Sequence, residues 1–180
     1  YLAALPQGAS VRVCGHSLGG TLTPVLALWL SEKRPDLDIL GAAFAGMTPG
    51  NKGFASLFGR GRPLADRLFR YNNSLDPVGF GWDRVTKAWN FYDPRPKGGL
   101  LVQALLAVSA LRLLPYGFTA IGPETVLKGK LREKPVVDTA IIAFAVETLH
   151  QHLPATYLEL LGAPPLPFDM IDAPIVLEGL

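Results

Sequence analysis

The chain has 180 residues, 49% hydrophobic and 18% charged, with a formal net charge of +2. This composition excludes a disordered chain, and the small charge excludes a strong grip on nucleic acid or another polyanion. A single cysteine, Cys14, excludes an intrachain disulfide and a cysteine-rich metal site.

Taken in chain order, Ser10 to Cys14 alternates and carries two valines, which predicts a short strand. Gly15 to Gly20 reads as a turn. Leu22, Val25, Leu26, Trp29 and Leu30 then fall on one helical face, expected to be the buried one. Pro24 lies within that pattern, so a kink or a start after the glycines is expected. The apolar run Ile39 to Ala45 predicts a buried strand, Phe54 to Phe58 a short helix, and Leu68 to Ser74 a third strand closed by Asp76-Pro77. A loop rich in Gly, Trp, Asp and Pro extends to Gly99. Leu100 to Leu114 is a helix apolar nearly all round, hence buried or facing a membrane. It is interrupted by Gln103, Ser109 and Arg112, and no run attains the roughly 18 apolar residues of a spanning helix. Phe118 to Leu127 reads as extended, and Lys128 to Lys134 as a basic loop. Asp138 or Thr139 caps a helix with apolar positions at Ile141, Ile142, Ala145, Val146 and Leu149. Pro154 opens a last helix that stops at Gly162. Alternating strands and helices imply one α/β domain over residues 1–180, with a mostly parallel sheet covered by helices on both faces.

Chemistry concentrates at Gly15-His16-Ser17-Leu18-Gly19, a G-x-S-x-G sequence between a predicted strand and a predicted helix. There the serine occupies a tight turn that lifts its hydroxyl clear of the sheet. Side chains at Gly15 and Gly19 are expected to collide with neighbouring backbone. The Leu18 N–H, at a helix N-terminus, is left free to stabilise an oxyanion. A serine nucleophile needs a base and a group to orient it. His16 belongs to the turn, so the base is His150 or His152. The break before Pro154 favours His152, in a loop; His150 is expected to end the preceding helix, its charge favoured by the helix dipole. For the orienting acid, Asp76 directly follows a strand, whereas Asp83 and Asp93 read as turn caps. The His150-x-His152 pair has no third ligand nearby, and neither a metal nor another cofactor is expected.

GHSLGG, then Phe44 to Asn51 with Phe54-Ala55, then Asn73-Ser-Leu-Asp-Pro-Val78, and finally His152-Leu-Pro-Ala-Thr-Tyr157, together resemble the class 3 lipases of the α/β-hydrolase fold. The resemblance spans about residues 9–162. It implies Ser17 as nucleophile, Asp76 as orienting acid and His152 as base. It further implies hydrolysis of a carboxylic ester in an acylglycerol or related lipid, at a membrane or lipid-droplet surface. A phospholipase or acyltransferase is the near alternative. A non-catalytic module that binds lipid or a partner through helix 100–114 is the distant one. Such lipases carry a long segment ahead of the serine turn, with flanking strands and a second oxyanion donor. Only 14 residues precede Gly15 here. The expectation is therefore a domain incomplete on its N-terminal side, with the edge of Ser10–Cys14 open, its valines exposed, and little activity alone. Trp29 and Trp82 read as packing residues. Lys128, Lys130, Arg132 and Lys134 read as a solvated loop.

Overall fold

In the computed structural model, residues 2–92, 99–132 and 139–167 are described. Asp93, Lys134 and Asp138 lie outside them. Four parallel strands form one sheet in the order β1 (Ser10–His16), β2 (Asp38–Phe44), β3 (Leu68–Asn73), β4 (Glu124–Leu127). Register is fixed by pairs such as Val13 with Gly41, Ala43 with Arg70, and Arg70 with Glu124. The helices are α1 (Leu18–Lys33), α2 (Lys52–Ala55), α3 (Gly99–Leu113), α4 (Ala140–His152) and α5 (Pro154–Leu160). The extended region expected from Phe118 narrows to β4. Phe118 instead makes an isolated bridge with Asn51, and Gly122 turns the chain at φ 62° against the Leu68 carbonyl.

Helix α1 packs on β1 and β2, but not with the face its large side chains suggested. Gly20, Thr23, Pro24, Ala27 and Leu30 are buried, while Leu22, Val25, Leu26 and Trp29 are exposed. The reason is the closeness of helix and sheet. A Cβ on Gly41 would touch Thr23 and Ala27, and one on Gly20 would strike the Phe44 carbonyl. Only small side chains fit this contact, so the bulky ones turn outward. Nor does Pro24 delay the helix. Both the N–H and the hydroxyl of Thr21 bond the Ser17 carbonyl, at 3.0 and 3.2 Å, and anchor the first turn before the proline.

Val13, Ala27, Leu30, Ile39, Phe58, Leu64, Leu68 and Ile121 form the core on the α1 side of the sheet. Coverage of the opposite face is less complete than expected. There Tyr157 of α5 meets the strand ends, whereas Arg12 and Cys14 are exposed and Leu40, Ala42, Phe44 and Phe69 only half-buried. Among the described residues no strand pairs with the outer edge of β1. The valines of that strand are not exposed, however. Val13 is buried and Val11 packs against the core, because both point towards α1 rather than along the edge.

Helix α4 also buries a stripe other than its apolar one, with Ile142 and Val146 half-buried. Ala143, Glu147 and Gln151 are buried and Ile141, Ala145 and Leu149 exposed. The inward residues form a polar network. Glu147 accepts from Arg132 Nε at 3.0 Å and from Gln151 Nε2 at 2.7 Å. Thr139 is the N-cap residue, without a side-chain bond.

Candidate active site

Ser17 sits between β1 and α1 at φ 59°, ψ −121°, a region that L-residues rarely adopt. Its N–H bonds the Phe44 carbonyl at 3.0 Å, which ties the turn to β2. A Cβ on Gly15 would collide with the Gly19 carbonyl and come within 2.8 Å of Thr23 Oγ1. At Gly19 a Cβ would meet nothing within 4 Å, contrary to the sequence expectation. The second glycine the turn requires is Gly20, wedged against Phe44 and Gly46. Leu18 opens α1, so its N–H has no partner within the helix.

Asp76 follows β3 by three residues and is fully buried. Its Oδ1 accepts from the Val78 N–H at 2.9 Å, an Asx turn that fixes the carboxylate plane. Its Oδ2 lies 2.8 Å from His152 Nδ1 and accepts from the Tyr157 hydroxyl at 2.8 Å. His152 is the last residue of α4 rather than a loop residue. Its Nε2 is 2.7 Å from Ser17 Oγ. An Nδ1–H donated to the carboxylate leaves the Nε2 lone pair facing the serine hydroxyl. Ser17, His152 and Asp76, separated by up to 135 positions in the chain, thus share one chain of hydrogen bonds.

His150 is not part of that chain. Two residues along a helix is about 200° of rotation, so it points elsewhere. Burial lowers its pKa, aided by Arg132, which outweighs the expected favour of the helix terminus. Asp83 caps no turn; it accepts from the Thr48 hydroxyl and pairs with Arg84.

Three further groups support this arrangement. The Tyr157 hydroxyl accepts from the Asn73 N–H at 2.9 Å while donating to Asp76, and burial, then the nearby Asp76 charge, push its pKa strongly upward. Asn73 Nδ2 donates to the Gln151 side chain at 2.7 Å, which pins the end of α4 beside His152. His16 lies under His152 with ring centroids 4.8 Å apart, and meets Tyr157 edge-on at 5.4 Å. Its Nε2 is buried without a partner, and burial, then the neighbouring His152, lower its pKa. The Glu147/Gln151 pair at i, i+4 was the one visible signal for the clamp on α4. Among the described residues no cluster of three or more His, Cys, Asp or Glu is placed to hold a metal ion.

A parallel sheet with a serine on its strand-to-helix turn, an acid after a later strand and a histidine near the end of the chain defines an α/β-hydrolase-like protein. Residues 2–80 match the family of class 3 lipases. The structure is similar to that of M37 lipase, with a TM-score of 0.69 and 28% sequence identity over 86% of this chain. The chain spans about half of that lipase, 46% of its length. No curated protein matches the sequence. Both likenesses are to lipases.

Proposed function

We propose that the chain carries the serine-hydrolase site of an enzyme that cleaves carboxylic ester bonds of lipids. One observation carries the reading: His152 contacts Ser17 Oγ through Nε2 and Asp76 through Nδ1. Ser17 Oγ attacks the ester carbonyl as His152 Nε2 takes its proton. Asp76 holds the ring and stabilises the imidazolium that forms. The Leu18 N–H faces the developing oxyanion. The imidazolium then protonates the leaving alcohol, and water attacks the acyl-enzyme by the same route. The lipid substrate class rests on the family likeness and on the likeness to M37 lipase.

The test is turnover of a short-chain chromogenic ester by Ser17→Ala, His152→Ala and Asp76→Asn, with far-UV circular dichroism as the fold control. Each change is expected to lower kcat by about 10⁴-fold, and the double change Ser17→Ala with His152→Ala by little more, as for residues that act as one unit. Residual activity near the native level in Ser17→Ala would reject the reading.

A further inference from the structure

Helix α3 and the turn that follows it, Gly99–Tyr116, have a mean hydropathy of 1.6 over 18 residues, yet only 6% of that stretch is buried. By length and composition it could cross a membrane, which corrects the expectation that no run is long enough. Its side chains divide by angle. At about 100° per residue, Val102, Leu106, Ala110 and Leu113 share a narrow arc. Val102 is buried and the other three half-buried, and α3 packs against α4 and the 3₁₀ turn Val85–Asn90. Leu100, Leu101, Leu105, Val108, Leu111 and Leu114 spread over about half the circumference on the other side. All six are exposed, Leu105 by 56% and Leu111 by 67%.

We propose that α3 is an in-plane lipid anchor, whose outer half sinks into the acyl-chain region of a bilayer while its inner arc stays docked on the domain. The breadth of the apolar arc selects this occupant. A helix that packs on one other helix presents an apolar stripe of about 100°, whereas this arc is nearly twice as wide and suits an apolar medium that wraps the helix. The end of the helix carries the residues of a membrane–water interface. Tyr116 and Trp82 both contact Phe118, with ring centroids 5.9 and 6.1 Å away, and both are exposed. Aromatic rings of this kind settle at headgroup level. Arg112 is the sole charged residue of the stretch and stands one turn from Tyr116, where its long stem can carry the guanidinium out to the headgroups. The retained contacts with α4 favour lying in the interface over crossing it. The anchor would hold the domain at the surface where its lipid ester resides; binding itself needs nothing of the serine site.

The test uses the full chain carrying Ser17→Ala, so that hydrolysis plays no part, with sedimented vesicles of phosphatidylcholine. The chain is expected to bind. Leu101→Gln/Leu105→Gln/Leu111→Gln, all at exposed positions, should lower the partition coefficient about tenfold or more by removing inserted apolar surface. The control Leu22→Gln/Leu26→Gln, on the exposed face of α1, should leave it unchanged. In the chain with native Ser17, the α3 triple should hydrolyse a soluble short-chain ester at the unaltered rate. Failure of the Ser17→Ala chain to bind vesicles, full binding by the triple, or equal loss from the α1 pair would each overturn the proposal. So would vesicle indifference combined with self-association that the triple abolishes, which would make the face a contact between copies. None of these outcomes bears on Ser17 as nucleophile.

Discussion

The hydroxyl of Tyr157 donates to the same carboxylate oxygen of Asp76 that His152 Nδ1 approaches, both at 2.8 Å. A fully buried carboxylate needs its charge answered by donors, and the histidine supplies one of them. The tyrosine supplies another from outside the reacting group, and its orientation is set in turn by the Asn73 N–H. Tyr157 is therefore a positioning residue. Tyr157→Phe should cost about 1–3 kcal/mol of stability, since a buried acceptor and a buried donor both lose a partner. It should lower kcat about tenfold and leave KM near its native value, because the hydroxyl is buried between Asn73 and Asp76. Chemical denaturation and steady-state kinetics on one preparation check both parts; a rise in KM with unaltered kcat would contradict the assigned role.

The two glycines of the serine turn should respond oppositely. Gly15→Ala places a methyl against the Gly19 carbonyl and Thr23, so the strand-to-helix turn must open. A loss of about 1–3 kcal/mol or more is expected, with a collapse of turnover as Ser17 shifts. Gly19→Ala meets open space in the first turn of α1, where alanine favours the helix by up to about 1 kcal/mol. It should keep or raise thermal stability. Equal losses in the two variants would contradict the local geometry.

Glu124, the first residue of β4, makes the stability of the sheet depend on pH in the acid range. Burial pushes its pKa up, but bonds from Arg84 and Asn72, with the charge of Arg70, prevail and bring it to about 2 from an ordinary 4.5. Its stabilising contribution is therefore complete above pH 4.5 and fades as pH falls towards 2. Glu124→Gln should be clearly less stable than the native chain at neutral pH, with the gap closing through that acid range. Urea midpoints across pH check this, and a gap independent of pH would contradict it.

His16 gives a second pH dependence at higher pH. Its lowered pKa means that the unfolded chain takes up a proton below 6.5 before the folded chain does. Stability from this site is thus present above 6.5 and lost as pH falls. The charged or titratable groups that face it are His152, Asp76 and Tyr157. His16→Phe keeps an aromatic ring against His152 and removes the orphaned Nε2. Its stability relative to the native chain should rise from about pH 8 to about pH 5, as seen by thermal melts, a trend that an unperturbed surface histidine would not give.

Much of the site was legible because its signals are local. G-x-S-x-G sets Ser17 on a turn, a proline after a helix marks the break beside His152, and an aspartate after a strand marks Asp76. The break before Pro154 favours His152 over His150, and His152 Nε2 lies 2.7 Å from Ser17 Oγ, although the residue ends a helix instead of lying in a loop. Packing faces were not legible from hydrophobic period alone. On α1 the closeness of Gly20 to Phe44 excluded the large residues from the interface, a fact of three-dimensional approach rather than of sequence spacing. On α4 the inward stripe is polar because Arg132 donates to Glu147 and Asn73 donates to Gln151, from segments outside the helix. The partners of Glu124 come from residues 70, 72 and 84, so no window of sequence could pair them. Trp29, expected as a packing residue, is exposed for the same reason as its neighbours on α1.

The proposed chemistry depends on Ser17 being a nucleophile activated by His152. It is tested most directly by treating the chain with a fluorophosphonate and locating the adduct by peptide mass mapping. One adduct is expected, on Ser17, absent from Ser17→Ala and formed about a hundredfold or more slowly in His152→Ala. An adduct on another residue, labelling that persists in Ser17→Ala, or a native chain that remains unlabelled would contradict it.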